Sequence, residues 1–168
     1  MPLPGSRPQS EVAVDDPPLT CSSDELVSAW TCIARSYTHV TQMLTEQVGR
    51  ETGLPAASFF ALVRLHHCDS QGVPLTMLAR YLAFSSGGFT KVADRLEQAG
   101  LIKRQPSPCD RRVTNAALTP AGRALAERAL GIYSDGLRQL VLHRLGSDGL
   151  RTLADHMSRL GCDVLPGD

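Results

Sequence analysis

The sequence predicts a mainly α-helical fold carrying one small β-hairpin, and three observations predict it. Apolar residues recur at helical spacing from Leu26 to Leu44 and again from Ala126 to Leu160. Between them, residues 75–118 give two short helical runs and then two strand-like runs. The strand-like runs flank a proline-rich basic tip, Pro106-Ser107-Pro108-Cys109-Asp110-Arg111-Arg112. Two short helices, a strand, a basic turn and a return strand make a winged helix-turn-helix with a small β-hairpin wing. The longer helices on either side lie outside that unit and are assigned to dimerisation.

Each element has a local cause. Ser22 and Glu25 form a capping box. Leu26, Trp30, Ile33, Tyr37, Val40 and Leu44 then follow at alternating spacings of four and three, the stripe of a long amphipathic helix. It is expected to stop near Arg50, with Gly53 as terminator and Pro55 in the first turn of a second helix over about 55–67. That helix should bury Phe59, Phe60, Leu62, Val63 and His66, and residues 69–72 should turn. Leu75–Leu82 reads as a short helix with Leu75, Leu78, Ala79 and Leu82 inward. Ser85 or Ser86 can cap the next one, whose apolar face is Phe89, Val92, Ala93 and Leu96. Gly100 is its stop and Leu101 the hydrophobic contact beyond it. Residues 101–105 and 113–118 pair as strands. Thr119-Pro120 opens a helix bearing Ala126, Leu130, Tyr133, Leu137, Leu140 and Val141. A last helix starts near Ser147 and shows Leu150, Leu153, Met157 and Leu160.

The domain organisation that follows is a flexible tail over 1–21, an N-terminal dimerisation helix over 22–54, a winged helix-turn-helix over 55–118 and C-terminal dimerisation helices over 119–168. Five of the eleven prolines fall in the first twenty residues, which is why those are taken as a tail. Those residues have no basic stretch followed by an apolar block, and no apolar run is long enough for a bilayer, so a cytoplasmic protein without a membrane partner is expected. The five cysteines (21, 32, 68, 109 and 162) are odd in number and contain no C-x-x-C pair, which suits reduced thiols.

The chain carries 17 basic and 17 acidic residues, and a neutral total is not itself a nucleic-acid signature. The distribution is. From Leu75 to Arg112 seven cations (Arg80, Lys91, Arg95, Lys103, Arg104, Arg111, Arg112) face three anions (Asp94, Glu97, Asp110). Positive charge therefore gathers where the shape suited to double-stranded DNA is predicted. No glycine-rich phosphate loop, G-x-S-x-G elbow or H-E-x-x-H pattern is present, so no enzyme, cofactor or metal is expected.

The run FTKVADRLEQAGLIKRQPSPCDRRVTNAALTPAGRAL resembles the recognition helix, wing and following helix of the MarR family of bacterial transcription regulators. Its specific parts are Asp94-Arg95-Leu96, Gly100-Leu101, Asp110-Arg111-Arg112 and Leu118-Thr119-Pro120-Ala121-Gly122, and elements in the family's order extend over roughly residues 24–162. The resemblance implies a homodimer joined through its terminal helices that binds a pseudo-palindromic operator and usually represses. It also implies a small aromatic or phenolic effector, or cysteine oxidation, as the release signal.

Carried onto this chain, the resemblance puts the helix of about 86–99 in the major groove, with Ser86, Gly87, Thr90, Lys91 and Asp94 outward. Lys91 can donate to guanine or phosphate, and Thr90 can meet a thymine methyl or phosphate. Arg95 is a phosphate clamp or an internal salt-bridge donor. In the wing, 106–112, Arg112 is assigned to the minor groove, Asp110 to holding its orientation and Arg111 to a phosphate. Two departures from the family pattern stand out: Gly87-Gly88 in the first turn of the recognition helix, and Ser107 where the wing often has aspartate.

Other residues carry secondary readings. Trp30 and Tyr37 lie one heptad apart and, with His66, are candidates for lining an effector pocket or simply for packing. Cys32 is a candidate redox thiol or a buried apolar one, and Cys109 a candidate redox thiol or an incidental surface cysteine. His66-His67-Cys68-Asp69 offers four ligand types in a row, but helical neighbours point about 100° apart, so no metal site is assigned. Beside the regulator stand a winged-helix module that binds a protein without specific DNA binding, and a regulator switched by cysteine oxidation.

Overall fold

A computed structural model describes residues 22–68, 72–108, 110 and 112–160, with Ser86 described by its backbone alone. The described residues fall into two compact units that meet between Tyr37 and Thr38 of the chain.

In the first unit the helix α1 (Ser23–Thr52) begins, and its capping box forms as the sequence predicts. The Glu25 N–H donates to Ser22 Oγ (3.3 Å) and the Ser22 N–H to Glu25 Oε2 (2.9 Å). Leu26, Trp30, Ile33 and Tyr37 follow along one stripe, and all four are exposed.

In the second unit α1 continues to Thr52, now burying Leu44 and Val48. Its last carbonyls are satisfied by side chains: Thr52 Oγ1 donates to Val48 O (2.6 Å) and Arg128 Nη2 to Glu51 O (2.9 Å). α2 (Ala56–His66) starts one residue after Pro55, which sits extended at the cap. It buries Phe59, Leu62 and Leu65, leaves Phe60, Val63 and His66 half-buried, and stacks Phe59 on Tyr133 with ring centres 4.9 Å apart.

A two-residue strand β1 (Val73–Pro74) precedes α3 (Leu75–Tyr81). Then come α4 (Ser86–Gln98), β2 (Ile102–Pro106) and β3 (Thr114–Leu118). The expected two-stranded hairpin is thus a three-stranded antiparallel sheet of order β1-β3-β2. Pro74 has no N–H to give, so it is tolerated on an edge strand. The hairpin ladder runs from Ile102 opposite Leu118 to Pro106 opposite Thr114, so Pro106 belongs to the strand and not to the tip.

α5 (Pro120–Leu137) passes into a π-helical segment (Arg138–Leu142) and then α6 (His143–Ser158). The chain leaves helical geometry at Gly146 (φ 67°, ψ 173°), just before the Ser147 start that the sequence suggests. The core joins α2, α3, α4, the sheet and α5 through Phe59, Leu62, Leu78, Phe89, Ala93, Leu96, Ile102, Ala116 and Ala126. α6 buries no residue, and Leu145, Leu150 and Leu153 stay exposed.

Candidate nucleic-acid interface

Two caps fix α4 in length and direction. Of the two serines that could start it, Ser85 does so: its Oγ accepts from the Gly88 N–H at 3.2 Å. At the other end Gly100 takes φ +69°, a conformation that costs residues with a Cβ but not glycine. Leu101 N–H then reaches Leu96 O (2.9 Å) and Gly100 N–H reaches Glu97 O (2.9 Å), the paired bonds of a Schellman stop.

The start of α5 is docked on that stop. Thr119 N–H donates to Leu101 O (3.0 Å), Thr119 Oγ1 donates to Gly100 O (2.6 Å), and the same oxygen accepts from Gly122 N–H (3.0 Å). A Cβ on Gly122 would overlap the Leu101 carbonyl, so only glycine permits the approach. The Gly100-Leu101 and Thr119-Pro120-Ala121-Gly122 motifs are therefore two halves of one joint, holding the C-terminal end of α4.

With Phe89, Val92, Ala93 and Leu96 buried, the opposite side of α4 presents Gly87, Thr90, Lys91 and Arg95, all exposed. Lys91 and Arg95 are four apart and share a face. Neither has a carboxylate partner among the described residues, which removes the internal salt-bridge reading of Arg95.

Asp94 lies on the outward side, as its spacing suggests, and Arg104 of β2 takes it there at 2.6 Å. Arg104 also pairs with Glu97 at 3.3 Å, and its backbone N–H donates to Glu97 Oε1 (3.2 Å). Sequence reasoning had counted Arg104 only as a basic charge. The available signal was an acidic pair three residues apart on α4, followed across a glycine stop by a strand arginine.

The wing tip is shaped by its backbone. Ser107 N–H donates to Val113 O (2.8 Å) and Val113 N–H to Asp110 O (2.9 Å). Asp110 Oδ1 accepts from the Arg112 backbone N–H at 2.9 Å, so it orients Arg112 through the main chain, and the guanidinium has no carboxylate partner among the described residues. Arg112 and Lys103 are exposed. Arg111, Cys109 and the Ser86 side chain lie outside the described residues.

The remaining candidates are placed as follows. Trp30 and Tyr37 are 56% and 69% exposed on α1. His66 is half-buried on α2, and its Nδ1 is buried with no hydrogen-bond partner in the described structure. Cys32 is an exposed thiol and not the buried one expected, because this stretch of α1 packs on nothing among the described residues, and Cys68 is half-buried. No helix among the described residues is long and apolar enough to cross a membrane.

A capped helix with a basic open face, braced by a β-hairpin with a basic tip, defines a winged helix-turn-helix protein. The MarR family model matches residues 54–114, from the end of α1 into β3. The HTH-type transcriptional regulator MhqR of Bacillus subtilis is 31% identical over 113 residues, 67% of this chain and 71% of that protein. The HTH-type transcriptional repressor MT2955 of Mycobacterium tuberculosis is 32% identical over 111 residues, 66% of this chain and 78% of that one. The structure of Sco3205, a MarR family transcriptional regulator from Streptomyces coelicolor in complex with DNA, superposes with a TM-score of 0.74 at 25% identity, over 87% of this chain and 94% of that one. The chain belongs to the MarR family of transcriptional regulators.

Proposed function

We propose that this chain is a homodimeric repressor that binds a pseudo-palindromic operator, α4 entering the major groove and the wing meeting the minor groove. The observation that carries this reading is the division of charge on α4. Both of its carboxylates, Asp94 and Glu97, are engaged by Arg104, while Lys91 and Arg95 have no carboxylate partner among the described residues. Those two and Thr90 face the bases and phosphates, Ser86 and Gly87 open the helix at the groove, and Arg112 enters the minor groove with Asp110 fixing its backbone. Arg111 adds a phosphate contact.

Two further features support the assembly. The stripe Leu26, Trp30, Ile33 and Tyr37 on α1 and the leucines of α6 are about half exposed within one subunit, and burying the remainder of such side chains is worth about 1 kcal/mol each. We assign both to a homodimer interface, with each subunit reading one half-site and half-site centres about 10 bp or a multiple of it apart. Repression is supported by the name of the M. tuberculosis relative. Release by a small aromatic effector that meets His66 is supported by its Nδ1, buried with no hydrogen-bond partner among the described residues.

The test is fluorescence anisotropy with the protein's own upstream intergenic DNA and a scrambled duplex of equal length, from low to physiological salt. Preference for the native duplex, with affinity falling steeply as salt rises, is expected. Equal weak binding to both duplexes would remove the regulator reading.

A further inference from the structure

Gly87 and Gly88 leave the first turn of α4 bare, and the structure shows what stands beside that gap. A side chain on Gly87 would find no protein atom within 4 Å, so this stretch of backbone is open to whatever approaches the helix. On Gly88 a side chain would begin 3.5 Å from Phe84 Cδ1. Phe84 is 40% exposed, although its ring leans on buried Phe89 with centres 6.4 Å apart. Its backbone is fixed: the Phe84 N–H donates to Ala79 O (2.9 Å), and Ser85 caps α4 immediately after it. Gly88 shares a helix flank with Lys91 and Arg95, three and seven residues on. An exposed aromatic ring is thus held at the N-terminal end of the flank that carries both cations.

We infer that Phe84 is a specificity-determining residue that packs on the C5-methyl of a thymine in each half-site, with Gly87-Gly88 allowing the helix backbone close enough to seat it. The inference rests on the DNA reading above. Thymine is the base that offers an apolar group in the major groove, and phenylalanine is a side chain suited to meet it. Lys91 and Arg95 then anchor neighbouring phosphates or guanine, and Phe84 supplies selectivity without a hydrogen bond. The bare glycine turn would thereby read sequence by shape and methyl contact.

The test replaces each thymine of the upstream duplex in turn by deoxyuridine, which removes only the methyl group, and compares wild type with Phe84→Ala and Phe84→Leu. Wild type should lose about fourfold in affinity at one thymine per half-site, the worth of one buried methylene-sized group. Phe84→Ala should bind the native duplex more weakly and be indifferent to that replacement. Phe84→Leu, still apolar, should retain part of the discrimination, with circular dichroism confirming that both variants are folded. Specific binding by wild type that ignores every replacement, or a Phe84→Ala variant that still discriminates, would overturn the inference alone. No preference for the native duplex over the scrambled one would overturn the DNA reading and this inference with it.

Discussion

Arg104 on β2 reaches Asp94 on α4 at 2.6 Å and Glu97 one turn further at 3.3 Å, so one guanidinium ties the wing's first strand to α4. The groups are 27%, 43% and 40% exposed, and water screens pairs of that kind. The pairing therefore adds little to stability and more to geometry and local charge.

Arg104→Met is expected to cost no more than about 1 kcal/mol of folding stability in chemical denaturation. Operator affinity should fall further, roughly tenfold, because the wing loosens and two carboxylates lose their counter-charge beside the phosphates. Anisotropy on the same preparation checks this. A large stability loss with unchanged affinity would make Arg104 a structural residue only.

At the other end of α4 the joint with α5 gives a stability prediction. Gly122→Ala drives a Cβ into the Leu101 carbonyl, a backbone atom that no rotamer change can move. The cost is about 1–3 kcal/mol, which for a chain of this size lowers Tm by several degrees. A thermal melt within a degree of wild type would show that the Thr119–Gly100 joint slides freely.

Much of this frame was legible in the sequence because it rests on caps and stops. Ser22, Gly100 and Thr119 do what their residue types suggest, and the α4 core face is the one its spacing predicts. Val73–Pro74 was not legible as a strand, since two residues carry no periodicity and one is proline; only pairing with Ala116 and Asn115 defines it. The partner of Asp94 was not legible for a related reason. Helical spacing gives the side of α4 on which a carboxylate lies, but not that a strand arginine ten residues on will claim it. The stripe of α1 was placed outside the winged unit from its spacing, and Leu26, Trp30, Ile33 and Tyr37 do stand exposed within the subunit.

Arg112 tests the wing. Its side chain is exposed and Asp110 holds only its backbone, so Arg112→Ala should leave stability within about 0.5 kcal/mol of wild type. Operator binding should weaken by about 1–3 kcal/mol, most of all where A·T pairs narrow the minor groove. Unchanged affinity would take the wing tip out of the interface.

Trp30 tests the assembly. It is 56% exposed in the middle of the α1 stripe, flanked by Leu26, Ile33 and Tyr37 on the same face. A charge there cannot be buried without a partner, so Trp30→Glu should be tolerated by a lone subunit and rejected by an interface. Sedimentation equilibrium should show wild type at twice the 18.1 kDa chain mass and Trp30→Glu at the single mass, with helical circular dichroism retained. Operator affinity should fall with it, because one subunit holds only one half-site and loses the second as an intramolecular contact. A Trp30→Glu protein that keeps both its dimer mass and its operator binding would place the subunit interface elsewhere on the chain and return Trp30 to the list of effector contacts.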